Sequence, residues 1–228
     1  MDSMGKNESH HTVVVAGYGT KVSGNKSYEH YIDQVADFVS NEDNAVDSVV
    51  FTGSYSDSKD ISEAGAMNNY FNTQVDTAEL MTRGVHVYQE KCAIVSWQNI
   101  SYSQELLAKA GTTPTEVTIF GDVNREDKLK TFAIYKFNLG DGLPKDPAEL
   151  LSKSLNVANI TYKGFDFGSS ADTEEERNAR FAAEILGAYD TRIGNEILSK
   201  RLTEWSSTYG YDVGDNLVAK GCTQFKGL

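Results

Sequence analysis

Residues 12–20 read Thr-Val-Val-Val-Ala-Gly-Tyr-Gly-Thr. A continuous β-branched run with no polar alternation describes a strand buried on both faces, and the glycines that follow stop it in a tight loop. Downstream, Tyr28, Tyr31, Ile32, Val35, Phe38 and Val39 recur at helical intervals, which predicts a helix over 28–39 with Ser27 as its N-cap. The alternation then repeats. Strands are expected at 48–52, 85–88, 116–120 and 159–167, and helices at 62–71, 102–110, 127–137 and 174–189. Strands and helices that trade places in this way require right-handed crossovers. The expected fold class is therefore α/β, a three-layer α/β/α sandwich with a mainly parallel, Rossmann-like sheet.

The chain has 228 residues, a length that suits one such domain, with a core over about 12–137 and a helical completion at 170–210. An amphipathic segment at 193–205, carrying Ile193, Ile197, Leu198, Leu202 and Trp205 on one side, is expected to pack onto the sheet. Residues 138–157 hold two of the three prolines and read as a long connection that forms a lid or shield.

Composition narrows the function classes. Lys and Arg number 21 against 33 Asp and Glu, a formal charge of −12 with no compensating basic stripe, so a nucleic-acid partner is not expected. The longest apolar runs are strand length, so no membrane span is expected. The first ten residues are polar and lack a signal-like apolar stretch, which points to a cytoplasmic address. Cys92 and Cys222 lie far apart and outside any Cys/His spacing, so neither a disulfide nor a structural zinc is expected from them.

In a sheet of this kind ligands bind beyond the carboxyl ends of the strands. After the first strand, Gly17, Tyr18, Gly19 and Thr20 form a loop whose backbone N–H groups suit a phosphate or carboxylate. It matches neither the Walker pattern nor the dinucleotide fingerprint, and a plain tight turn reads equally well. After the second strand come Gly53 and Ser54, then Glu63 in the first turn of a helix, where the helix dipole alone would favour an acid. Glu90 is placed on the loop after the third strand, with Ser96 and Asn99 beyond it. After the fourth, Asp122 and Asn124 lead into Arg125 and Lys128, cations suited to an anionic ligand. Glu63, Glu90 and Asp122 would converge as acid–base or hard-cation groups, although each also reads as a simple cap. His10 and His11 fall in the polar N-terminal arm and His86 reads as a packed strand residue, so no Ser/His/Asp triad is legible, and no GxSxG elbow is present.

This constellation resembles the YdcF/SanA-like family, a Rossmann-like domain of unknown function, from about residue 13 to 137. The resemblance rests on Thr52-Gly53-Ser54 in the second-strand loop, the helix start Ser62-Glu63-Ala64, and Glu90, Ser96 and Asn99 at the family's three-residue intervals, with Ala93 departing from its hydroxyl. Where the family carries His before Arg after the fourth strand, this chain has Asn124 before Arg125, which removes the family's most obvious proton carrier. The resemblance implies a polar cleft for a small-molecule metabolite, nucleotide-like or phosphorylated, with S-adenosylmethionine or another adenosyl ligand as the cofactor class. Two other readings stand beside it. One is a metal-assisted hydrolase or phosphoryl-transfer enzyme with Mg²⁺ on Glu63, Glu90 and Asp122, and the other a non-catalytic scaffold or envelope-pathway partner.

Overall fold

The computed structural model describes residues 10–137, 159–168 and 173–228. Five strands form one all-parallel sheet in the order β3-β2-β1-β4-β5. They are β1 His11–Ala16, β2 Val46–Thr52, β3 His86–Glu90, β4 Glu116–Asp122 and β5 Ile160–Phe165. Between them run α1 Lys26–Ser40, α2 Glu63–Gln74, α3 Thr77–Thr82, α4 Ser96–Lys109 and α5 Glu126–Phe137. After β5 follow α6 Glu174–Tyr189, α7 Thr191–Tyr209 and α8 Val213–Ala219. No helix among the described residues is long and apolar enough to cross a membrane.

The first strand divides the core as its pattern requires. Val13 and Val15 face a cluster with Tyr31, Val35 and Phe71 of α1 and α2, whereas Val14 and Ala16 face Ile100, Leu129 and Phe132 of α4 and α5. All of these side chains are removed from solvent, the difference between a strand covered on both faces and one with a wet side. The result is the three-layer sandwich expected from the alternation.

Several local expectations are corrected. The cap of α1 is Asn25, whose side chain accepts from the Tyr28 N–H, rather than Ser27. His11 is not in a solvated arm: it opens β1, is buried, and pairs with the Asn44 carbonyl at 2.7 Å and Thr118 Oγ1 at 2.9 Å. His86 is exposed rather than packed, because β3 is an edge strand. The helix expected to begin at 102 begins at Ser96, so Glu90 ends a strand and Ser96 and Asn99 occupy the first turn of α4. Residues 138–157, read as a lid, lie outside the described residues.

Ile185 of α6 joins the core cluster of Val14 and Ile119, but α7, expected to pack onto the sheet, lies over the strand exits instead. Leu198 and Leu202 of α7 join Val213, Leu217, Cys222 and Phe225 in a third cluster over Tyr55, Ile94 and Val95, residues of the loops at the carboxyl ends of β2 and β3. The α6–α7 hairpin is tight. A Cβ at Gly194 would come within 2.6 Å of the Gly187 carbonyl oxygen, so glycine is required for the backbones to approach. Cys92 and Cys222, expected to be unpaired, form a disulfide with their Cα atoms 5.5 Å apart. Only the fold, by carrying the chain end back over the β3 exit, brings these residues together.

Candidate functional site

The strand order reverses at β1, whose neighbours are β2 on one side and β4 on the other. The β1 and β4 exits therefore diverge and leave a crevice between their loops. A cavity of about 580 Å³ occupies it, floored by Gly17, Tyr18 and Gly19 after β1 and by Asp122, Asn124 and Arg125 after β4. The size is that of a small-molecule site.

Glu63 is the most constrained group in it. Ser62 caps α2 through the Gly65 N–H, while the Glu63 and Ala64 N–H groups donate to the Ser54 and Gly53 carbonyls at 2.8 and 3.1 Å. The first turn of α2 is thereby pinned beneath the β2 exit, and Glu63 lies between two glycines. A Cβ on Gly17 would fall 2.8 Å from Glu63 Cβ and 3.0 Å from the Thr52 carbonyl oxygen, and a Cβ on Gly53 would also fall 2.8 Å from Glu63 Cβ. Gly53 further holds φ at +149°, a conformation side chains rarely adopt. Ser56 Oγ donates to Glu63 Oε1. Burial pushes the Glu63 carboxyl up to about 7, against the opposing pull of the Ser56 hydroxyl, the Arg125 charge and the Gly19 N–H. The carboxyl thus titrates where acid–base work at neutral pH needs it.

The glycine cradle gives a direct test. Of the atoms an added methyl would strike, Glu63 Oε2 could swing away but Glu63 Cβ and the Thr52 carbonyl oxygen could not, so Gly17→Ala should destabilise the protein by about 1–3 kcal/mol in urea unfolding. An unchanged midpoint would show that Glu63 does not need this close approach.

Cations and carboxylates share the rest of the lining. Arg125 Nη1 donates to the Gly17 carbonyl at 3.0 Å, tying the two floor loops together. Lys128 pairs with Glu184 of α6 at 2.8 Å, and the second Glu184 oxygen accepts from the Ser96 N–H at 3.2 Å. This partly buried pair seats α6 over the N-terminus of α4, and desolvation lowers the Lys128 pKa despite its partner. With α6 seated, Arg177 and Arg180 reach the cavity from one face of that helix, and Arg201, Trp205 and Tyr209 line it from α7 at four-residue intervals. The Arg201 guanidinium lies 5.8 Å from the centroid of the Trp205 ring.

Of the residues singled out in the sequence, Gly17, Tyr18, Gly19 and Glu63 line the cavity, as do Ser96, Asn99, Asp122, Asn124, Arg125 and Lys128. Thr20, Gly53, Ser54 and Glu90 do not. Thr20 faces a neighbouring hollow and its N–H donates to Asp57 Oδ1 at 3.0 Å. Gly53 and Ser54 serve as the acceptors that anchor α2. Glu90 is buried and accepts from the Cys92 N–H at 2.7 Å, the Ala93 N–H at 3.2 Å and Thr52 Oγ1 at 2.8 Å, so its carboxylate organises the turn that carries the disulfide. The three carboxylates therefore do not converge. Among the described residues no group of three or more His, Cys, Asp or Glu is placed to hold a metal ion.

Sequence reasoning missed Ser56, Asp57 and the entire contribution of α6 and α7. The one available signal was periodic: Arg177, Arg180 and Glu184 share one helical face and Arg201, Trp205 and Tyr209 another, a pattern that a solvated charged face shows equally. No family model, curated protein or solved structure matches the chain.

Proposed function

We propose that the cavity binds a phosphorylated small molecule, with the anion held by the cations of its lining, in the manner expected of a YdcF/SanA-like protein. The loop after β1 shapes the site without donating to the ligand, because the N–H groups of Gly17, Tyr18, Gly19 and Thr20 are taken by the Thr52 carbonyl, the Tyr28 hydroxyl, Glu63 and Asp57. The observation that carries this reading is the placement of Arg125, Lys128, Arg177, Arg180 and Arg201 around one cavity, where they outnumber the carboxylates Asp57, Glu63, Asp122 and Glu184 in a protein of net charge −12. Cations concentrated against the overall charge focus anions into the crevice, and guanidinium groups match phosphate oxygens in geometry. The excess of cations over carboxylates in this lining favours a phosphorylated metabolite over S-adenosylmethionine, which carries a sulfonium and an amino group. Against the metal-assisted alternative stands the position of Glu90, which faces the disulfide turn instead of the cavity.

A thermal-shift panel of sugar phosphates, nucleotides, S-adenosylmethionine and Mg²⁺ tests the reading. A ligand present at one hundred times its Kd stabilises the native state by about 2.7 kcal/mol, so a phosphorylated member should raise the melting temperature by several degrees. A response to S-adenosylmethionine or Mg²⁺ with none to any phosphorylated compound would contradict it.

A further inference from the structure

We propose that Ser56 is a nucleophile activated by Glu63, and that the cavity hydrolyses a phosphomonoester through a phosphoserine intermediate; this rests on the phosphate-site reading above. Ser56 is buried in the loop after β2, lines the cavity, and donates its hydroxyl hydrogen to Glu63 Oε1. The neighbouring Asp57 is a poorer acceptor for it, 3.5 Å away and already accepting from the Thr20 N–H at 3.0 and 3.3 Å. Glu63 is held against Gly17 and Gly53, and Gly17 in turn accepts from Arg125. Hydroxyl, carboxylate and guanidinium thus form one connected group at the point where the strand order reverses. This is the arrangement of a nucleophile, its base and a charge that stabilises a phosphoryl group in transit.

The chemistry closes without a further reagent. Ser56 Oγ attacks phosphorus as its proton passes to the Glu63 carboxylate, and the bond to the ester oxygen breaks, releasing the alkoxide. Water then attacks the phosphoserine, the P–Oγ bond breaks, and the proton on Glu63 returns to Ser56. The dihydrogen phosphate released gives one proton to the alkoxide, so the sum is ester plus water to alcohol plus hydrogen phosphate. A carboxyl titrating near 7 is suited to take and return that proton.

The test uses the full chain with 2,4-dinitrophenyl phosphate, whose leaving group needs no acid, together with a separate titration of pyrophosphate. The expected result is a burst of about one dinitrophenolate per protein and, after acid quench, a phosphoryl group mapped by mass spectrometry to the peptide containing Ser56. Ser56→Ala should abolish the adduct while retaining pyrophosphate binding, and Glu63→Gln should slow the burst by about 10²–10⁴-fold. A wild-type protein that binds pyrophosphate but gives neither burst nor adduct would overturn the proposal, as would an adduct that persists in Ser56→Ala. Loss of pyrophosphate binding by the wild type would overturn the phosphate-site reading along with it.

Discussion

Glu63→Gln should raise the melting temperature at pH 8, and by only about a quarter as much at pH 5. The carboxyl titrates near 7 in the folded chain against an ordinary value of 4.5, because burial disfavours its charged form. Between those two values the folded state holds a proton that the unfolded state has released, so stability falls as pH rises through the window and the full cost is present above 7. The complete shift corresponds to about 3 kcal/mol, and since the carboxyl opens onto a solvent-accessible cavity an effect of about 2 kcal/mol is expected. For a chain of this length that is roughly 4–8 °C. Glutamine keeps the volume and an acceptor for Ser56 while removing the charge. Thermal unfolding of both proteins at the two pH values checks the sign: equal destabilisation at both would mean that Glu63 is held in its charged form. Such a stability cost retained at a cavity is the pattern of a group kept for chemistry.

Breaking the Cys92–Cys222 disulfide should be the most damaging single covalent change. The bond closes a loop of 130 residues between the β3 exit and the turn after α8. Cross-links of this kind contribute about 2–5 kcal/mol, so reduction or the double Cys→Ala variant should lower the melting temperature by roughly 5–15 °C. The effect should reach the cavity. Cys92 immediately precedes Ala93, which lines it, and Cys222 packs in the cluster that supports α7 with its Arg201, Trp205 and Tyr209. Calorimetric scans with and without a phosphine reductant should therefore show both a lower transition and a smaller ligand-induced shift. If reduction changes neither, the hydrophobic cluster around Leu198, Leu202 and Phe225 holds the wall by itself. Because disulfides persist in oxidising surroundings, the redox poise around the protein bears directly on how firmly the site is closed.

The fold was legible because Val13, Val14 and Val15 form a run with no polar residue inside it, as a strand covered on both faces requires, and because that run opens a repeated alternation of strands and helices. The floor of the site was legible for a related reason, since glycines at strand exits and an acid at a helix start are local features. What escaped was non-local. Nothing in the neighbourhood of Cys222 announces Cys92, and the polar run Ser96-Trp97-Gln98-Asn99 hides the start of α4, which buries Ser96, Gln98 and Asn99 against other polar groups instead of apolar ones. Glu90 misled because a carboxylate at a strand end is equally suited to catalysis and to receiving backbone N–H groups, and only the positions of Cys92 and Ala93 decide between them. The arginines of α6 required knowing that Glu184 docks on Lys128 and the first turn of α4.

The central claim, that the crevice between the β1 and β4 exits is a phosphate site, is tested most directly by isothermal titration of the disulfide-bonded protein with pyrophosphate, alongside the double variant Arg177→Ala/Arg180→Ala. Charge-assisted hydrogen bonds contribute about 1.5–3 kcal/mol each, so a single site weakened tenfold or more in the variant is expected. Absence of binding by the wild type, or an affinity indifferent to both arginines, would contradict the claim.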